Sequence, residues 1–175
     1  EGWTVTLLVG TDFSRKSHQA ARTAAALAVR LGQPMVLMHV VDGPFAERSL
    51  EKSGRRARSG LAAVEAEAEA LARPGLQIGV ELRAGLPERV LATAAEELDA
   101  SLVVVSAKSG TSVQTRLLGS VAERTLQACQ RPVLALRDCR ILRLWAEGTG
   151  RLRMVLGTDL ASGTAPGRRL ARALL

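Results

Sequence analysis

The sequence predicts an α/β fold, a five-stranded parallel open sheet flanked by helices, and three observations carry that prediction. Val103, Val104 and Val105 form a β-branched run too short for a helix and unbroken by polar residues, the pattern of a parallel strand covered on both faces. Five strand-like stretches alternate with four helix-like ones along the chain. The composition, 47% hydrophobic and built mostly on Ala, Leu and Val, suits helices packed closely on a sheet.

The elements follow in order. Val5 to Gly10 is an apolar strand ending in Thr11-Asp12-Phe13-Ser14. An Asp at a strand's carboxyl end, just before a helix, is placed to accept hydrogen bonds from a ligand hydroxyl or amine. The other role open to Asp12 or Ser14 is capping of the helix that begins near Ser17. That helix runs to Leu31 with Ala20, Ala21, Ala24, Leu27 and Ala28 on one side, and Gly32 closes it. Met35 to Val41 is the second strand. His39 stands alone in it, without an acidic or Cys partner in its motif, and reads as a satisfied packing histidine rather than a catalytic base; His18 reads as solvated.

Asp42 to Ser49 is a loop broken by Gly43-Pro44. A long helix from about Leu50 to Ala72 follows, in which Glu65, Glu67 and Glu69 fan around the axis and read as a solvated face rather than a converging carboxylate pair. Pro74-Gly75 ends it. Leu76 to Leu82 alternates apolar with polar, as a strand at a sheet edge does. Gly85-Leu86-Pro87 opens a helix that reaches Leu98, with Pro87 in the first turn.

The central stretch is Ser101 to Leu136. Its valine strand stops at Ser106, the chain turns small, polar and basic, and Gly119-Ser120 opens an amphipathic helix carrying Val121, Ala122, Leu126 and Cys129. A strand, a polar loop and a helix N-terminus, with Lys108 and Arg116 around them, suit an anion. Pro132 starts the last strand, Val133 to Leu136.

Composition also excludes. With no Tyr, two Phe and two Trp, the chain lacks the aromatic surface on which single-stranded bases stack. The net charge of +7 comes from dispersed Arg residues with one cluster at Arg55, Arg56 and Arg58, so it reads as a solvated surface and a nucleic-acid partner is not expected. No run approaches the roughly 20 apolar residues of a membrane span. Without a signal-peptide pattern, a cytoplasmic location is expected. Cys129 and Cys139 lack metal-like spacing and neighbouring His ligands, so no metal site is expected.

The residues Ser106 to Ser120 resemble the signature of the universal stress protein family, whose ATP-binding members carry Gly-x2-Gly-x9-Gly-Ser/Thr after the fourth strand. Gly119-Ser120 and the following Val-Ala-Glu-Arg match, whereas the two earlier glycine positions fall on Ser106 and Ser109, and Gly110 restores the small residue one position late. Gly10-Thr11-Asp12-Phe13-Ser14 is similar to the family's first-strand loop, and His39-Val40-Val41 to its second-strand end. The resemblance implies a Rossmann-like fold of the adenine-nucleotide alpha hydrolase kind, with strand order 3-2-1-4-5 and a ligand at the switch point between the first and fourth strands. It implies ATP, with Mg2+, as the ligand. Thr11, Asp12, Phe13 and the backbone near Val41 would face the nucleoside, Gly119, Ser120 and Val121 the phosphates, and Ser106, Lys108, Ser109 and Arg116 the connecting loop. No catalytic residue is expected, and turnover at most a weak ATP hydrolysis. The alternative from another class is a regulatory dimerisation module whose degenerate site binds no nucleotide; a flavoprotein-like α/β enzyme keeps the fold but lacks its own signature.

The resemblance covers residues 3 to 137 as one domain. Beyond a linker at 138 to 151, Arg153 to Leu160 echoes Thr6 to Phe13, so residues 152 to 175 read as the start of a second, incomplete repeat in a tandem protein. The last strand, Val133 to Leu136, would leave an open sheet edge. In the resembling family that strand pairs across a two-fold or pseudo-two-fold axis, which implies a homodimer or a tandem pseudo-dimer here.

Overall fold

The computed structural model describes residues 6–42, 54–107 and 119–155, together with 168, 171 and 172; the side chains of 54–57 are not described. Ten elements follow one another: β1 (Leu7–Thr11), α1 (Arg15–Leu31), β2 (Met35–Val41), α2 (Gly54–Leu71), β3 (Ile78–Ala84), α3 (Pro87–Glu97), β4 (Leu102–Ser106), α4 (Ser120–Ala128), β5 (Val133–Leu136) and α5 (Arg140–Ala146). The strands form one sheet in the order β3-β2-β1-β4-β5, and every pairing is parallel. This is the architecture and strand order expected from the sequence.

The sheet separates two apolar layers, because successive strand residues point to opposite faces. Leu7, Val9, Met35, Leu37, Leu102 and Val104 pack with α1, α2 and α5. Leu8, Met38, Val103 and Val105 pack with α3 and α4. Ala20, Ala21, Ala24, Ala25 and Ala28 of α1 are wholly buried, so this helix approaches the sheet with little side-chain bulk between. At its end Gly32 takes the left-handed conformation (φ 64°), which only glycine adopts without strain, and its N–H closes on the last turn.

Three local details differ from the sequence reading. The helix α1 starts at Arg15, because Ser14 is the residue that caps it. The strand β3 runs over Ile78–Ala84 instead of 76 to 82: the Leu76 N–H turns back to the Arg73 carbonyl, and pairing begins where Gln77 accepts the Met35 N–H. The segment expected as a linker contains α5, which lies on α1. Leu142 is buried there, and the Arg30 guanidinium sits 4.1 Å from the centre of the Trp145 ring.

The strands β3 and β5 are the sheet edges, as expected. Residues 152–155 carry no regular structure, and the rest of the repeat echo lies outside the described residues except for 168, 171 and 172, which are helical. Among the described residues no helix is long and apolar enough to cross a membrane.

Candidate functional site

At the carboxyl ends of β1 and β4 the chain leaves the sheet toward opposite faces, α1 covering one and α4 the other. Adjacent strands whose connections diverge leave a crevice between their tips. It has a volume of ≈ 130 Å³. Its floor is Gly10, with Met38 and Val40 from β2 and Val105 and Ser106 from β4. Pro87 and Leu91 of α3 form one wall, and Gly119, Ser120, Val121 and Ala122 at the start of α4 form another. The β1 tip contributes Thr11 and Asp12, backed by Ser17. The crevice is therefore apolar at its base and polar at its mouth, the usual division in a small-molecule site.

The β1 tip is held by its own hydrogen bonds. Ser14 Oγ accepts the Ser17 N–H at 3.2 Å, and Asp12 Oδ1 accepts the Ser14 N–H at 3.0 Å. Both capping and ligand-facing roles are thus compatible with Asp12, whose carboxylate is exposed at the rim. Phe13 takes a left-handed backbone conformation (φ 59°), uncommon for a bulky residue and held here by surrounding contacts. Its N–H donates to Thr11 Oγ1 at 3.1 Å, and its ring lies 4.4 Å from the imidazole of His39. His39 Nδ1–H donates to the Thr11 carbonyl at 2.8 Å, so that ring nitrogen is satisfied as the sequence suggested, but the half-buried residue also lines the crevice and is not packing alone.

At the opposite wall Gly119 is the N-cap of α4 and supplies no side-chain cap. The first helical bond runs from the Glu123 N–H to the Gly119 carbonyl, which leaves the amides of Ser120, Val121 and Ala122 without a helix carbonyl to meet. Those amides and the positive end of the helix dipole border the crevice, an arrangement that suits an anion. This helix end is braced. Arg124 donates through Nη1 to Glu88 of α3 at 3.2 Å and through Nε to the Ser120 carbonyl at 3.1 Å.

Of the residues singled out in the sequence, Thr11, Asp12, Ser106, Gly119, Ser120 and Val121 border the crevice. Phe13 does not line it; it packs on His39 beside the mouth. Val41 does not line it either. Its carbonyl accepts the Gly85 N–H at 3.1 Å, and Val40, whose side chain alternates to the other face, lines the crevice floor instead. Lys108, Ser109 and Arg116 lie outside the described residues.

Two expectations are corrected. Glu65, Glu67 and Glu69 do not share a solvated fate: Glu67 is 8% exposed and accepts the Thr11 hydroxyl at 2.8 Å. His18 is half-exposed and pairs with Glu67, Nδ1 to Oε1, at 3.1 Å. The signal was present in the helix period, since position 67 falls on the stripe of Val64, Ala68 and Leu71. Sequence reasoning also missed Gly10, Met38, Leu91 and Val105, which look like ordinary core residues until the helices are placed. Among the described residues, no cluster of three or more His, Cys, Asp or Glu side chains is arranged to hold a metal ion.

Residues 5–137 match the family model described as the Universal stress protein family. A curated relative, the universal stress protein MJ0531 of Methanocaldococcus jannaschii, is 30% identical over 137 residues, covering 75% of this chain and 81% of the relative. The structure of the universal stress protein from Archaeoglobus fulgidus in complex with dAMP superposes with a TM-score of 0.56 at 20% identity, covering 77% of this chain and 98% of that one. A universal stress protein in complex with cAMP gives a TM-score of 0.55 at 22% identity, covering 76% and 96%. At such identities the two solved structures establish the shared fold.

Proposed function

This chain belongs to the universal stress protein family, and we propose that its crevice binds an adenine nucleotide, ATP with Mg2+, as the sensing step of a stress response. One observation carries the proposal: a single crevice joins an apolar floor, an exposed carboxylate at Asp12 and the uncapped amides of α4. The base would lie over Gly10, Met38 and Leu91, a ribose hydroxyl would donate to Asp12, and the phosphates would accept from the Ser120, Val121 and Ala122 amides. Lys108, Ser109 and Arg116 would complete the phosphate end. The complexes with dAMP and cAMP in proteins of the same fold support an adenine ligand. The output would pass to a second copy or a second repeat pairing along Val133–Leu136, the open edge.

A second reading, a dimerisation module without a ligand, draws on the crevice volume of ≈ 130 Å³, below the roughly 300 Å³ at the small end of ligand pockets. Isothermal titration separates the two. Saturable heat with ATP and Mg2+ below about 1 mM, equivalent to about 4 kcal/mol of binding free energy, upholds the nucleotide reading. Absence of heat together with an unchanged melting temperature at several millimolar nucleotide rejects it in favour of the module.

A further inference from the structure

The end of β1 is gripped from the sheet face opposite the crevice. Glu67, on α2, is a carboxylate with 6% side-chain exposure in an apolar stripe. A charge in such a place is costly unless it is hydrogen-bonded. Its two oxygens have different partners: Oε2 accepts the Thr11 hydroxyl at 2.8 Å, and Oε1 meets His18 Nδ1 at 3.1 Å. Thr11 Oγ1 accepts in turn the N–H of Phe13, the residue forced into the left-handed turn. A continuous series of bonds therefore joins α2 to the turn that carries Asp12. The partnership is absent from neighbouring glutamates of the same helix, since Glu65 and Glu69 are exposed.

We propose that Glu67 is a positioning residue for the nucleotide crevice: by holding Thr11 Oγ1 it fixes the Phe13 turn and with it the direction of the Asp12 wall, and it couples α2 to ligand occupancy. The proposal rests on the nucleotide reading of the crevice. His18 is the second anchor, keeping the carboxylate turned so that Oε2 faces Thr11. Coupling is reciprocal, so a helix that favours binding is itself stabilised by binding.

Three variants test this. Glu67→Met fills a similar volume without the acceptor, Glu67→Gln keeps a carbonyl oxygen for the Thr11 hydroxyl, and Leu71→Ala deletes a buried side chain of the same helix that does not touch Thr11. Calorimetric titration with ATP and Mg2+ should show affinity about tenfold weaker in Glu67→Met, largely recovered in Glu67→Gln, and within about twofold of the parent in Leu71→Ala, although Leu71→Ala melts lower. Parent-like affinity in Glu67→Met, or an equal loss in Leu71→Ala, overturns the positioning role. If the parent protein binds no ATP, the nucleotide reading fails, and hydrogen exchange decides the positioning claim separately. Exchange at the Phe13 and Ser14 amides should be about tenfold faster in Glu67→Met than in the parent, a population shift of the turn of about 1.4 kcal/mol. Equal exchange in the two overturns it.

Discussion

Gly10 offers the sharpest test of where the ligand sits. It pairs in register with Met38 at the crevice floor, and its backbone is not among the left-handed positions, so a side chain there brings no backbone strain and is limited by its neighbours. A Cβ at this position would lie 3.2 Å from Leu91 Cδ1, 3.4 Å from Leu91 Cδ2 and 3.6 Å from Val105 Cγ1. The near atoms are the ends of a flexible side chain, which can swing by a few tenths of an ångström. For Gly10→Ala, burial of one methyl contributes about 0.8 kcal/mol and the stiffer chain roughly 0.5–1 kcal/mol, against an overpacking cost near the low end of about 1–3 kcal/mol. These terms nearly cancel, so stability should stay within about 1 kcal/mol of the parent, a shift of roughly 2–4 °C in melting temperature. Binding should not cancel. The methyl and the displaced Leu91 both enter a crevice of ≈ 130 Å³, and ATP affinity should fall at least about tenfold. Differential scanning fluorimetry and titration calorimetry read the two effects separately. Undiminished ATP affinity in a folded Gly10→Ala protein would refute the placement of the base on this floor, and a loss of stability beyond about 3 kcal/mol would refute the packing argument.

Other outcomes follow from the same structure. Trp145→Ala removes the ring beneath Arg30 and part of the α1–α5 contact, so urea denaturation should show a loss of about 1–2 kcal/mol; no loss would mean that α5 is not docked in solution. Burial pushes the Cys129 and Cys139 thiols up from their usual value, so iodoacetamide at pH 8 should label the folded chain more slowly than the denatured one. Because the folded state holds these protons more tightly, their contribution to stability is complete below the ordinary thiol value of 9.0 and is lost as pH rises through the raised folded values. Replacing Ser106 and Ser109 by glycine should tighten ATP binding by roughly threefold, about 0.6 kcal/mol; weaker binding in that variant would show that the serine hydroxyls serve the ligand.

The elements were legible because the features that set them are local, whereas their order in the sheet was expected from the family resemblance alone. Val103 to Val105 can be little else than a covered strand, and the breaks at Gly32, Pro74-Gly75 and Gly119 divide the chain at nearly the observed places. The β1 and α4 sides of the site were legible for the same reason, since Thr11, Asp12, Gly119 and Ser120 occupy turns whose chemistry shows in sequence. What escaped was set by tertiary placement. Met38, Leu91 and Val105 are core by composition and line the crevice only in the folded arrangement, where Leu91 and Val105 lie next to the bare Gly10 backbone. Glu67 escaped because charge was weighed above position: on the stripe of Val64 and Leu71 a glutamate must either tilt toward solvent or find partners, and Thr11 and His18 are the partners. At the end of β2 the side chain that lines the crevice is Val40 and not Val41, since in a strand one residue exchanges one face for the other.

The net charge acquires a different meaning once the pairs are in place. Arg83 bridges Glu81 and Glu97, Arg131 bridges Glu96 and Asp99, and Arg124 joins Glu88 across α3 and α4. These three arginines are thereby held in ion pairs at the surface of the fold. Among the described residues, the fixed backbone dipoles at the start of α4 are placed to attract a small anion, and they discriminate by shape and distance where mobile side chains would discriminate by charge alone. The same wall is tied to the open edge. Leu136, the last residue of β5, accepts the Ala107 N–H at 2.8 Å, just where the chain leaves Ser106. A partner paired along Val133–Leu136 and a ligand at the Ser106 tip would consequently act on one short segment of backbone, and that adjacency would give the proposed sensing step a physical route from occupancy to assembly.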